Sequence, residues 1–142
     1  MYEIVFGVHL TSLAIAIVGI LFADKSGFAW IRGKTATLDQ KQLHLIHNTV
    51  SLGLVGLIAS GVYLLWPQRS DLLVNPLFLL KMFFVATLII NSFAINFLTY
   101  TATQMPYADV PAARKRLFLI SGAVSTIGWL GTVVMALILF AD

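Results

Sequence analysis

Four stretches of this 142-residue chain carry no Asp, Glu, Lys or Arg: Ile4–Ala23, Gln42–Gln68, Met82–Ala108 and Leu117–Ala141. A helix rises about 1.5 Å per residue, so about 20 apolar residues cross the roughly 30 Å hydrocarbon core of a bilayer. Every stretch is long enough. Only 11% of the residues are charged, against the roughly 25% that a soluble surface requires. The apolar residues do not alternate singly with polar ones, which argues against a membrane β-barrel. The expected class is therefore an all-α integral membrane protein.

The first stretch is read as a retained span. Glu3 stands where a secretory signal would be basic, and no small-x-small cleavage motif leads into a polar domain. The chain has no cysteine, so disulfides, thiolate ligands and covalent c-type haem are excluded. Its net charge of +3 comes from residues beside the spans, where basic charge sets topology, so no nucleic-acid partner is expected.

The four helices are expected at about 4–22, 38–66, 76–100 and 112–140, within a single transmembrane domain over 1–142. Asp24 is read as the stop of the first helix. Phe28-Ala-Trp30-Ile31 then reads as an interfacial segment with Trp30 at headgroup level. Thr37-Leu-Asp-Gln40 has the spacing of a capping box. Pro67 favours a stop, and Pro76 suits a first helical turn. The links at 67–75 and 101–110 are too short for a soluble module, so the chain should meander as an up-down antiparallel four-helix bundle.

Lys25, Arg32, Lys34, Lys41, Arg114, Lys115 and Arg116 flank two of the links, whereas the opposite side has Arg69 and, just inside a helix, Lys81. The positive-inside rule then puts both termini on the outer side and the basic links on the cytoplasmic side. Membrane helices pack through small residues, because lipid tails are as apolar as leucine. The expected bundle-facing stripes are Thr49, Gly53, Gly56 and Ser60 on the second helix, and Ser92, Asn96 and Thr99 on the third. Ser121, Ser125, Gly128 and Thr132 form the stripe of the fourth.

No carboxylate lies within the charge-free stretches, which lowers a proton-pump or cation-coupled reading. Three histidines and one lysine carry the chemistry that is left. His9 and Lys81 both fall about five residues into helices that run the same way, so both sit in the outer half. His9 either forms an ordinary hydrogen bond in the bundle or ligates a metal or haem iron. Lys81 either snorkels to the headgroups or holds an anionic group. His44 and His47 share a face at the inner end of the second helix. They are candidate metal ligands, or polar packing groups against Asn91, Asn96 or the basic loops. They lie roughly 15–20 Å from His9 along the membrane normal, too far to share one iron.

Gly7-Val-His9-Leu10, Phe78-Leu-Leu-Lys81 and Gly61-Val-Tyr-Leu-Leu-Trp66 resemble the small four-helix bacterial membrane proteins of the haem-binding, oxygen-independent protoporphyrinogen oxidase type. More distantly they resemble copper-resistance protein D. The likeness lies in the layout of nearly the whole chain, with a histidine early in the first helix and a lysine early in the third. It implies b-type haem or a porphyrin at the His9/Lys81 end. The chain departs from that pattern after His9, with Thr-Ser-Leu-Ala-Ile-Ala-Ile, and at His44-Leu-Ile-His47-Asn48.

Three functions fit these residues. Foremost is a polytopic protein that assembles with or stabilises a larger membrane complex, as a homo-oligomer or with other membrane subunits. The second is a haem- or metal-binding redox protein or porphyrin enzyme near His9 and Lys81. The third is a small oligomeric transporter or channel.

Overall fold

The computed structural model describes residues 1–141, with side-chain surroundings given as far as Leu139. The described residues are all-helical and contain no strand. The elements are α1 (Tyr2–Ile31), α2 (Gln40–Leu65), a 3₁₀ turn (Trp66–Gln68), the short α3 (Arg69–Leu72), α4 (Pro76–Gln104), a second 3₁₀ turn (Tyr107–Asp109) and α5 (Ala112–Ala141). Four helical stretches are long and apolar enough to cross a membrane: Tyr2–Ile31, Gln40–Leu72, Pro76–Gln104 and Ala112–Leu139.

The helix ends follow local chemistry, and they correct two expectations. The first helix does not stop near Phe22 or Asp24 but continues to Ile31. Asp24 and Lys25 end an apolar stretch without breaking a helix. The break comes at Gly33, which adopts φ +69° in the left-handed region open to glycine. There Gly33 N donates to Trp30 O at 3.0 Å and Lys34 N to Ala29 O at 2.9 Å, a Schellman closure. The second helix is not capped from Thr37. Asp39 is the cap, accepting from Lys41 N and Gln42 N at 3.3 Å each. In α4, Pro76 takes the first helical position, and Asn75 Oδ1 accepts from Leu77 N at 2.9 Å.

The chain divides into two compact units, Met1–Gln68 with Ala102–Asp109, and Arg69–Thr101 with Val110–Asp142. In the first unit α1 and α2 pack closely through small residues. A Cβ added at Gly53 would stand 2.8 Å from both Ala16 N and Ser12 O, and one at Gly19 would stand 2.6 Å from Val50 Cγ2. A Cβ at Gly56 would collide with Ser12 Oγ. His9 thus meets Ser60, Ser12 and Ala16 meet Gly53, and Gly19 meets Val50. Numbers rise along one helix as they fall along the other, so α1 and α2 run antiparallel. The second-helix stripe expected from Thr49, Gly53, Gly56 and Ser60 does face α1, with Thr49 Cγ2 3.5 Å from where a Cβ at Gly19 would stand.

The C-terminal end of α1 is pinned within the same unit. Trp30, expected at headgroup level, is 1% exposed. Its Nε1 donates to Met105 O at 3.1 Å, and its ring meets Tyr107 edge-on with centroids 5.2 Å apart. Leu38 N donates to Ala102 O at 2.9 Å, tying the link after α1 to the end of α4.

The second unit repeats the small-residue device. Cβ atoms at Gly128 and Gly131 would stand 2.8 Å from Leu88 Cδ2 and 2.6 Å from Phe84 Cε2. Arg114 Nη1 donates to Thr101 Oγ1 at 3.3 Å where α4 leads into α5. The face that α4 turns to α5 includes Leu88, Asn91 and Thr101, not the expected Ser92, Asn96 and Thr99 stripe. Asn96 is exposed, while Ser92 and Thr99 bond to carbonyls of their own helix.

Candidate functional site

Two polar pairs join neighbouring helices inside the apolar stretches. In the first unit, His9 Nδ1 lies 2.8 Å from Ser60 Oγ. The Ser60 hydroxyl donates to the Gly56 carbonyl one turn back, the usual outlet for a serine inside a helix. A hydroxyl has one proton: with it directed at Gly56, Ser60 Oγ accepts from Nδ1–H, and with it directed at His9, Nδ1 accepts. Ser60 is buried and His9 half-buried. Gly61, whose added Cβ would stand 3.6 Å from His9 Cε1, leaves the imidazole room beside α2.

The second pair links Asn91 on α4 to Ser121 on α5. Asn91 Nδ2 donates to Ser121 O at 3.0 Å, and Ser121 Oγ donates to Asn91 Oδ1 at 2.8 Å. Both residues are buried. Asn91 was expected among possible partners for His44 and His47, but its amide is engaged with Ser121. Sequence did offer a signal for the pair, because Asn91 and Ser121 are roughly equidistant from the 101–110 link and a tight hairpin brings such positions level.

Lys81 is half-buried near the start of α4 and belongs to the second unit, whereas His9 belongs to the first. His44 is exposed and His47 half-buried in the opening turns of α2. Among the described residues, no three or more His, Cys, Asp or Glu side chains gather to hold a metal. His44 and His47 would therefore take further ligands from another molecule or from water.

One open cleft of about 180 Å³ lies in the second unit, lined by Asn91, Ala94, Phe97, Leu98, Leu117, Ile120 and Ser121. A wider groove of about 700 Å³ in the first unit is lined by Met1, Tyr2, Ala59, Val62, Tyr63, Trp66 and Pro67.

Fold and polar pairs together define a class, the small all-helical protein with four membrane-length helices tied in pairs by hydrogen bonds. No protein-family model, curated protein or solved structure matches the chain.

Proposed function

We propose that this chain is a small polytopic protein of a bacterial inner membrane that assembles with, or stabilises, a larger membrane complex. In this reading its four helices form one up-down antiparallel bundle with both termini on the periplasmic side, and its partners are lipid and other membrane subunits or further copies of itself. The observation that carries the reading is the use of the polar groups at membrane depth. His9 with Ser60, and Asn91 with Ser121, join one helix to the next. A conduction path turns such groups toward a lumen, whereas here they hold helices together. Large apolar side chains face outward on every long helix, among them Ile4, Leu52, Phe93 and Leu130, each more than 60% exposed. They are suited to lipid or to a partner's helices. The basic asymmetry across the links supports the orientation.

The test is extraction of the tagged chain from its native membrane with the surrounding lipid, followed by quantitative mass spectrometry. The expected result is one other membrane protein, or a defined multiple of this chain, at a fixed ratio across preparations. Recovery as a monomer with no such companion opposes the proposal.

A second reading is favoured by one observation. Ser60 Oγ holds Nδ1 of His9 at 2.8 Å, and an imidazole that ligates iron through Nε2 has its Nδ1–H held by a hydrogen-bond acceptor. His9 would be the b-type haem ligand, as the resemblance to the oxidase family implies. Bound haem would supply electron transfer. The chain's own part would be to fix the imidazole through Ser60.

A further inference from the structure

We propose that the cleft between α4 and α5 floored by Asn91 and Ser121 binds the carbonyl oxygen of a membrane-dissolved, quinone-class molecule. The inference is independent of the assembly reading. It begins from hydrogen-bond capacity. A carboxamide has two N–H donors and an oxygen with two lone pairs, and a hydroxyl oxygen also has two. Asn91 gives one N–H to Ser121 O and receives the Ser121 hydroxyl on Oδ1. The amide thus keeps the capacity to donate a second bond, and Oδ1 and Oγ to accept further ones, at two residues that line the cleft. In hydrocarbon no bulk water competes for that remaining capacity.

The shape and depth of the cleft select the ligand. Asn91 and Ser121 are 8% and 6% exposed, so the polar floor is buried. The walls are Ala94, Phe97, Leu98, Leu117 and Ile120, and Phe97, Leu117 and Ile120 form an exposed rim. A volume of about 180 Å³ falls below the roughly 300–1,000 Å³ that encloses a whole drug-sized molecule. It suits a ring or small head whose apolar tail stays in lipid along the rim. Asn91 sits near the middle of α4, about 20 Å from either end by helix rise. Phospholipid ester carbonyls lie at the boundary of a core about 30 Å thick, too shallow to reach it. A quinone-class ring dissolves in the hydrocarbon and presents a carbonyl that accepts the spare N–H.

The chain is reconstituted in phosphatidylcholine nanodiscs free of quinone and titrated with a decyl-substituted benzoquinone. Decylbenzene serves as the carbonyl-free control. Binding beyond lipid partitioning is measured, and the probe's carbonyl stretch is read by infrared difference spectroscopy. The expected result is saturable binding with a lowered carbonyl frequency and no matching uptake of decylbenzene. Asn91→Leu should weaken binding at least tenfold. Because Asn91→Leu also disrupts the pair with Ser121, Ala94→Trp provides the second arm: it fills the cleft from an exposed position and leaves that pair intact. It too should weaken binding at least tenfold. Partitioning alone, equal saturable uptake of decylbenzene, or native-like binding by folded Ala94→Trp each overturns the proposal.

Discussion

Asn91 and Ser121 are bonded twice: the Asn91 amide donates to the Ser121 carbonyl at 3.0 Å, and the Ser121 hydroxyl returns a bond to the Asn91 oxygen at 2.8 Å. A reciprocal pair fixes the level at which α5 lies along α4. Van der Waals packing between apolar faces tolerates sliding, but a half-turn slip would leave two polar groups unmet in hydrocarbon.

The pair should therefore show coupling. Asn91→Ala, Ser121→Ala and the double variant, unfolded reversibly in mixed micelles, should give an interaction energy of about 0.5–2 kcal/mol, the range for hydrogen bonds between membrane helices. Additive losses would mean that the pair does not fix the register.

Gly53 and Gly122 form a matched comparison. A methyl group at Gly53 meets the backbone of α1 at 2.8 Å, whereas one at Gly122 meets nothing within 4 Å. Gly53→Ala should destabilise by about 1–3 kcal/mol, because the helix backbone cannot yield as a side chain can. Gly122→Ala should be neutral, or stabilising by up to about 1 kcal/mol through helix propensity. Thermal unfolding in detergent compares them, and equal effects would count against the close packing of α1 on α2.

Trp30 tests the other fastening of the first unit. Trp30→Phe keeps a ring against Tyr107 but removes the Nε1 bond to Met105 O, and should cost about 1 kcal/mol. Trp30→Ala should cost about 3–5 kcal/mol and speed proteolysis within 102–109. If both variants unfold and are cleaved like the wild type, the link is not held by Trp30.

The positions of the four helices were legible because an uninterrupted apolar stretch has few other solutions. Helix ends were less so. Asp24 marks where a membrane stretch stops and Gly33 where a helix stops, and these are different physical events. The small-residue stripe on α2 was readable, since Gly53, Gly56 and Ser60 recur at helical spacing. The Ser92, Asn96 and Thr99 stripe is not the one that meets α5, and its spacing could not show that. A serine or threonine can satisfy itself on the preceding turn, so spacing alone does not say that it faces a neighbour. The Trp30 cluster was not readable either, because its partners Met105 and Tyr107 lie far along the chain and only the tertiary fold unites them.

Orientation has its own test. Cysteine placed at Arg32 or Arg69 in this cysteine-free chain is treated with a membrane-impermeant thiol reagent on intact cells whose outer barrier has been permeabilised. Position 69 should label and position 32 should not. The opposite pattern reverses the assignment of both termini to the periplasmic side.

The central claim, that His9 ties α1 to α2 and does not hold a haem, is tested most directly on His9 itself. The measurement is the reduced-minus-oxidised absorption spectrum of the chain extracted in its native lipid, for the wild type, His9→Ala and Leu13→Ala. The account predicts no Soret band that moves on reduction in any of the three. A wild-type Soret band that His9→Ala abolishes and Leu13→Ala preserves would contradict it.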